Sequence, residues 1–233
     1  MISLPYESRR AAGRILGECL NAGRTWTDPL VLALPRGGVP VGIAVAESLG
    51  AELDVILVRM LELPRQSELT IGSVATGGIT LRNESVIQAA SVREKDFMER
   101  RDREMEILRR LEVLYRGFRP RPAVAGRSVI LVDDGLCSAA KMRTAVRVLQ
   151  RANPAEVVIA APVGSSSAVA ALWREADEVF CPATPDPFLS IGLFYRNYIG
   201  VSDEEVAAML QAAWFVPRLM NKEGVQHDSA CVI

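Results

Sequence analysis

The chain has 233 residues, of which 49 % are hydrophobic and 24 % charged, so it can bury the core of one domain with a small appendage. Its formal net charge of −1 gives no general attraction to nucleic acid or to a membrane surface. No apolar run reaches the roughly 18 residues of a membrane-spanning helix, and the first residues lack the pattern of a secretory signal. We therefore expect a cytoplasmic protein that binds neither nucleic acid nor membranes.

Histidine and cysteine are too sparse for several kinds of site. The single histidine is His227, whereas a Ser-His-Asp triad or a histidine metal site needs an imidazole in the folded domain. The four cysteines include no C-x-x-C pair, which argues against a zinc knuckle and a redox dithiol. We therefore expect no metal site built from protein side chains alone.

The first quarter of the chain alternates helical and strand patterns. Residues 6–22 have an amphipathic pattern that predicts a helix with its arginines on the solvent side, and residues 39–49 predict a second helix. Residues 30–34 and 53–58 are apolar runs without polar alternation. Such runs are typical of strands that are buried on both faces, as in a parallel sheet.

The second quarter is less regular. Residues 60–71 show little periodicity and are predicted to be a loop. Residues 71–75 and 79–81 predict a short hairpin, because glycines lie between them. Residues 84–116 predict a helix that is interrupted near Ser91.

The second half of the chain predicts a doubly wound parallel sheet. Its strands and helices alternate in the order strand 128–132, helix 140–151, strand 156–161, helix 165–174 and strand 177–180. Strands in this order are joined by right-handed crossovers, and strand 128–132 should lie inside the sheet. Residues 182–200 are irregular, and a capping box at Ser202 starts a last helix that should end near residue 213.

The residues that follow strand 128–132 carry the clearest chemical signal. Asp133 and Asp134 stand at the strand end, and small residues lead into the next helix. Backbone N–H groups at a helix N-terminus can bind a phosphate, and adjacent carboxylates can accept hydrogen bonds from ribose hydroxyls. We name residues 133–141 the sugar-phosphate loop, although the pattern on its own also fits a plain turn.

This segment resembles the signature of the type I phosphoribosyltransferases. In that family it binds the ribose and 5-phosphate of phosphoribosyl diphosphate (PRPP). The resemblance continues in sequence order with an uncharacterised bacterial subgroup of the family, and it spans about residues 5–213. Its further segments are residues 34–41, similar to the diphosphate-binding loop, residues 68–72, similar to the end of the active-site loop, and residues 188–198 and 201–206, similar to the C-terminal segment.

The resemblance implies the architecture. We expect a type I phosphoribosyltransferase-like α/β domain over residues 1–213, with a doubly wound parallel sheet of about five strands. A small hood over the site would come from residues 5–25 and 182–213. Residues 214–233 are predicted to be a disordered tail. A homodimer is also expected, because members of the family commonly dimerise and residues 93–116 offer a long amphipathic face.

The resemblance also implies the reaction, which transfers the 5-phosphoribosyl group of PRPP to an acceptor that the sequence does not identify. Asp133 and Asp134 would be the catalytic residues, which hold the ribose hydroxyls and help to neutralise the positive charge that develops in the transition state. Mg²⁺ would enter with the diphosphate and be held through its oxygens. The substrate-binding residues would be Arg36, Gly37, Gly38, Arg59, Gly135, Leu136, Cys137, Ser138, Ala139, Ala140 and Lys141. Replacing both acids by asparagine should abolish PRPP binding and leave the fold intact.

Several positions depart from the family pattern. Ala139 stands where the family has glycine, and it would be strained if that position needs a positive φ. Lys141 replaces a threonine and could either contact the phosphate or point to solvent. Met60 replaces a lysine, and Cys137 replaces the aspartate of purine-salvage members, so hypoxanthine-guanine salvage is not supported.

These departures leave two other functions open. The first is a non-catalytic relative that binds PRPP or a nucleotide as a sensor or regulator, with a degenerate phosphate loop. The second is a different reaction on the same fold, such as hydrolysis of a phosphorylated sugar.

Overall fold

A computed structural model describes residues 3–63 and 66–215, and for residues 66–68 it describes the backbone alone. The elements within these ranges are, in chain order, β1 (Tyr6–Ser8), α1 (Arg9–Asn21), β2 (Leu30–Ala33), α2 (Gly38–Leu49), β3 (Glu52–Val55), β4 (Val58–Leu63), β5 (Gln66–Ala75), β6 (Ile79–Arg82), α3 (Glu84–Ala89), α4 (Glu94–Arg116), β7 (Ser128–Val132), α5 (Ala140–Gln150), β8 (Glu156–Ala160), α6 (Ser166–Leu172), β9 (Glu178–Phe180), a 3₁₀ helix (Ile191–Phe194), β10 (Tyr195–Asn197) and α7 (Asp203–Phe215).

The main sheet has five parallel strands in the order β3-β2-β7-β8-β9. All five residues of β7 are buried, and this strand lies at the centre. The apolar runs without alternation therefore form strands that are covered on both faces. The predicted doubly wound parallel sheet with a central strand 128–132 is confirmed.

Alternate residues of the strands point into two separate cores. Val31 and Ile130 pack in the core that includes α1, α2, α4 and α7. Leu32 and Leu131 pack in the core that includes α5 and α6. This alternation follows from the two-residue period of a strand and places helices on both faces of the sheet.

The loop predicted at residues 60–71 is wrong. β4 and β5 occupy this region and form a second, antiparallel sheet in the order β4-β5-β6. The pairing register shifts between Leu61 and Glu62 and again between Glu62 and Leu63. Each shift breaks the alternation of inward and outward residues, so the sequence shows no clear strand period.

The hairpin predicted from residues 71–75 and 79–81 is confirmed, with Ala75 paired to Ile79. Gly77 and Gly78 have φ values of 88° and 74°. Two consecutive residues with positive φ suit a tight hairpin turn and favour glycine at both positions. The predicted interruption of the long helix is also confirmed, since Ser91 has a φ of 50° between α3 and α4.

The predicted helix 6–22 begins later than expected. Residues Tyr6–Ser8 form β1, which pairs in parallel with β10. The Ser8 side chain accepts a hydrogen bond from the N–H of Ala11 and so caps α1. The residues before this cap are extended, and the helical periodicity of the sequence does not show where the helix begins.

The residues predicted to form the hood separate into two groups. Tyr6 of β1 and Tyr195 of β10 form a small core of their own, together with Phe188 and Phe194. In contrast, α7 contributes Leu210 to the core on the first face of the main sheet. Tyr195 and Ile191 contact the sugar-phosphate loop at Asp134 and Gly135, whereas α7 packs mainly on the main sheet.

The last helix begins at the predicted capping box, in which Ser202 and Glu205 exchange side-chain hydrogen bonds with each other's N–H groups. α7 continues to Phe215, two residues beyond the domain boundary expected at residue 213, and the indole of Trp214 donates to the Leu53 carbonyl at 2.8 Å. The rest of the predicted tail, residues 216–233, lies outside the described residues. None of the described helices has the length and apolar character needed to cross a membrane.

Candidate active site

Two loops meet at the carboxyl ends of β2 and β7. The N–H of Leu34 donates to the Val132 carbonyl at 2.8 Å and continues the strand pairing to the edge of the sheet. The first loop, residues 35–38, then leads into α2, and we name it the glycine loop. The second is the sugar-phosphate loop. Ligands of open α/β sheets bind at this edge.

Gly37 and Gly38 pack directly against the acid pair. A Cβ atom on Gly37 would lie 2.1 Å from Oδ2 of Asp134, and one on Gly38 would lie 2.8 Å from the Val132 carbonyl oxygen. Gly37 has φ −60° and ψ −31°, which any residue can adopt. Glycine is therefore required here by the close approach of the two loops.

Asp134 is held by protein groups. Its Oδ2 accepts hydrogen bonds from Nε of Arg9 at 2.7 Å and from the hydroxyl of Tyr198 at 3.1 Å. The hydroxyl of Tyr195 donates to its backbone carbonyl at 2.5 Å. Asp134 is 6 % exposed and Arg9 is 9 % exposed. We therefore now expect that neutralising both acids would destabilise the fold, because Asp134 is the counter-ion of a buried arginine.

Sequence reasoning placed Arg9 on a solvent face and found no role for Tyr198. A helical period separates two faces of α1 but does not show that Tyr198 and Ile199 contact the first residue of the helix. The sequence feature that could have indicated the position of Arg9 is Ser8. A serine cap at this position places Arg9 in the first turn of α1, next to β1.

Asp133 is half-buried at the same strand end. Its Oδ1 accepts a hydrogen bond from the N–H of Asp134 at 2.9 Å. Burial, followed by the negative charge of Asp134, raises the pKa of Asp133 well above its usual range, and the Asp134 N–H and Lys141 oppose this shift. A perturbed carboxyl at a ligand edge is typical of a functional group.

The middle of the sugar-phosphate loop is anchored by its backbone. The N–H of Leu136 donates to the Val163 carbonyl at 2.9 Å, and the Leu136 carbonyl accepts from Ser165 at 2.8 Å. Gly135 packs so closely on Ile191 that an added Cβ would come within 2.8 Å of its side chain. These contacts fix the loop between β8 and the 3₁₀ helix.

The loop then opens at the N-terminus of α5. Cys137 and Ser138 are exposed, and the N–H groups of residues 137–139 have no hydrogen-bond acceptor within the described part of the chain. Ala139 has φ −79° and ψ −12°, so the strain considered for this position is absent. Lys141 is exposed in the first turn of α5 and forms no ion pair with another described residue. Free amides, a hydroxyl and a cation thus surround one helix N-terminus.

A cleft of about 830 Å³ joins the predicted site residues. Gly38 and Ala139 do not line it: Gly38 lies beneath it against β7, and Ala139 caps α5. The predicted residues that line the cleft are Arg36, Gly37, Arg59, Asp133, Asp134, Gly135, Leu136, Cys137, Ser138, Ala140 and Lys141.

Two arginines of the cleft differ in their surroundings. Arg36 is exposed and makes no ion pair with the described residues, whereas Arg59 is paired with Glu104 of α4 at 2.7 Å. The wall near Arg36 contains Tyr115, whose hydroxyl donates to Oδ1 of Asp203 at 2.5 Å. Burial and this hydrogen bond raise the pKa of Tyr115. These two residues of the wall were not predicted.

Comparison with known proteins identifies the family. A family model described as the phosphoribosyl transferase domain matches residues 6–188. Two Mycobacterium tuberculosis proteins, each named "Putative phosphoribosyl transferase" (Rv0571c of strain H37Rv and MT0597 of strain CDC 1551), are 40 % identical over 210 residues, which are 89 % of this chain. The chain spans about half the length of these relatives, since the match covers 47 % of each.

A solved structure is similar over nearly the whole described domain. The crystal structure of TT1426 from Thermus thermophilus is 38 % identical and aligns with a TM-score of 0.79. The alignment covers 90 % of this chain and 99 % of that chain. The extent of the family-model match, together with the motifs and the sheet order, leads to one conclusion: the chain belongs to the phosphoribosyl transferase family.

Proposed function

We propose that the protein transfers the 5-phosphoribosyl group of PRPP to an acceptor and releases diphosphate. One observation carries the proposal. The glycine loop after β2 packs onto the acid pair after β7, and the free N-terminus of α5 lies beside them in the same cleft. A sugar that carries phosphate at one end and diphosphate at the other fits such an arrangement.

Different groups of the cleft would bind different parts of the substrate. The free N–H groups at residues 137–139, the Ser138 hydroxyl and Lys141 would bind the 5-phosphate, helped by the dipole of α5. Arg36 and the N–H of Gly37 would bind the diphosphate. The Gly38 N–H is not available as expected, because it donates to the Leu34 carbonyl at 3.1 Å.

Asp133 would act at the reacting centre. Displacement at the anomeric carbon passes through a transition state with positive charge on the ribose, and a nearby carboxylate stabilises that charge. The carboxylate would also accept hydrogen bonds from the ribose hydroxyls. Since its pKa is raised, activity should increase as the pH rises through that pKa.

The described residues fit Mg²⁺ bound mainly by the substrate. No cluster of three or more acidic, histidine or cysteine side chains suited to a metal occurs in the described ranges. Mg²⁺ keeps several waters and binds phosphate oxygens with few protein carboxylates. It would offset the charge of the departing diphosphate.

A non-catalytic PRPP or nucleotide sensor is the second candidate. It is favoured by the Arg59–Glu104 pair and by Met60, which lines the cleft without a charge. Both features reduce the positive charge that a leaving diphosphate would meet. The two candidates differ in turnover and share ligand binding.

Titration calorimetry with PRPP, in the presence and absence of Mg²⁺, tests the proposal. We expect binding that is tighter with Mg²⁺, followed by diphosphate release when purine and pyrimidine bases are supplied together. Binding without release for any acceptor would support the sensor, and no binding with either condition would contradict both candidates.

Lys141→Thr should weaken PRPP binding by about tenfold, because a cation at the 5-phosphate is lost. Lys95→Thr is the matched control, since Lys95 is an exposed lysine of α4 outside the cleft. Calorimetry on both variants provides the measurement. Equal affinity of the two variants would show that Lys141 points to solvent.

Assembly through the outer face of α4 is a further part of the proposal. Val113 in the last turn of α4 and Phe118, two residues beyond the end of the helix, are exposed, at 70 % and 108 % of their reference areas. We expect a homodimer by light scattering at micromolar concentration and a monomer for Val113→Ser with Phe118→Ser. A monomeric parent would contradict this arrangement.

A further inference from the structure

Arg9 is a buried cation beside the acid pair. It is the first residue of α1, and its guanidinium makes three contacts. Nε donates to Asp134 at 2.7 Å, Nη1 donates to the Ile199 carbonyl at 2.8 Å, and the group lies 3.8 Å from the ring centre of Tyr198. Asp134 is its one carboxylate partner among the described residues.

The contacts of Asp134 link Arg9 to both loops of the site. Its carboxylate lies where a side chain on Gly37 would be, so it supports the glycine loop from below. Its backbone N–H holds the carboxylate of Asp133. A change at Arg9 can therefore reach the diphosphate end and the ribose end of the cleft through one residue.

The charges of Arg9 and Asp134 also affect the ionisation of Asp133. Asp133 has Asp134 and Lys141 as its interacting charged neighbours, while Arg36 and Arg59 line the same cleft. The negative charge of Asp134 disfavours ionisation of Asp133. Arg9 opposes that effect, because a positive charge 2.7 Å from the Asp134 carboxylate acts on the ionisation of Asp133 in the opposite direction.

We propose that Arg9 is a positioning residue of the site: it neutralises and fixes Asp134, so that Asp133 is the carboxylate presented to the sugar and the glycine loop keeps its place. Tyr198 holds the same Asp134 oxygen from the side of β10. The role assigned to Asp133 rests on the proposed function. The link from Arg9 through Asp134 to Asp133 belongs to the ligand-free protein.

The experiment compares Arg9→Met, Arg9→Met with Asp134→Asn, and the control Arg10→Met. Arg10 is the next residue of α1 and pairs with Glu47 on the surface. The first readout is the titration of the Asp133 carboxyl by ¹³C NMR without ligand. We expect Arg9→Met to raise the midpoint by about one pH unit, the double variant to return toward the parent, and Arg10→Met to leave it unchanged.

The second readout is PRPP affinity in the presence of Mg²⁺. Both variants of Arg9 should bind at least about tenfold more weakly than Arg10→Met, because neither holds residue 134 under the glycine loop. If Arg9→Met does not fold, the PRPP affinity of the double variant tests the positioning role. This variant should fold because it leaves no unpaired buried charge.

A parental Asp133 midpoint in folded Arg9→Met, or parental PRPP affinity in the double variant, would overturn the positioning role. A parent that does not bind PRPP would count against the proposed function alone, because the carboxyl titration needs no ligand.

Discussion

Asp133→Asn should abolish PRPP binding while the variant remains at least as stable as the parent at neutral pH. Asparagine keeps the shape and the oxygen that accepts from the Asp134 N–H, so the strand end should not rearrange. It loses the negative charge that would meet the ribose. Calorimetry and thermal unfolding measure the two effects, and retained binding would remove Asp133 from the site.

The stability gain has a definite pH dependence. Burial and the charge of Asp134 raise the pKa of Asp133 in the folded protein above its unfolded value. Ionisation of such a group opposes folding, and the penalty is fully present above the folded-state pKa. The advantage of Asp133→Asn over the parent should therefore be largest at neutral pH. It should disappear as the pH falls below the pKa of the Asp133 carboxyl in the unfolded chain, which is usually about 3.9 for aspartate.

Asp134→Asn should behave in the opposite way. It leaves Arg9 buried without its counter-ion, and breaking such a pair costs roughly 3 kcal/mol of unfolding free energy. For a domain of this size the melting temperature should fall by on the order of 10 °C. Equal melting temperatures for Asp133→Asn and Asp134→Asn would contradict the different structural roles of the two neighbouring acids.

The main sheet could be predicted because its signal is local. β2 and β7 are short apolar runs, and a run without alternation must be buried on both faces wherever it lies in the fold. The glycine loop and the sugar-phosphate loop could be located for the same reason. Both follow directly from these strands, so the order of elements places them at one edge of the sheet.

The environment of Asp134 could not be predicted, because it depends on long-range contacts. Arg9 and Asp134 are 125 residues apart, and Tyr198 follows β10, the strand that pairs with β1. The helical period of α1 distinguishes its faces but does not identify what covers them. The availability of the Gly38 N–H was overestimated for a similar reason, since only the folded turn shows its bond to Leu34.

Gly37→Ala should cause a large loss of both PRPP affinity and stability. The new Cβ would overlap Oδ2 of Asp134, and this oxygen is held by Arg9 at 2.7 Å. Either the carboxylate moves and the buried ion pair breaks, or the glycine loop lifts away from the sugar-phosphate loop. The first response costs roughly 3 kcal/mol of unfolding free energy, and the second displaces the diphosphate site.

Gly200→Ala is the matched control for stability, because Gly200 lines the same cleft and a Cβ there meets no atom within 4 Å. Its melting temperature should equal that of the parent, whereas that of Gly37→Ala should fall by on the order of 10 °C.

A triple variant shows whether the Asp134 carboxylate or the glycine loop moves in Gly37→Ala. If the carboxylate moves, adding Gly37→Ala to Arg9→Met with Asp134→Asn should cause little further loss of stability, since the ion pair is already absent. If the backbone of the glycine loop moves, the loss should persist in that background. A normal melting temperature and normal PRPP affinity for Gly37→Ala would show that the two loops do not need their close approach.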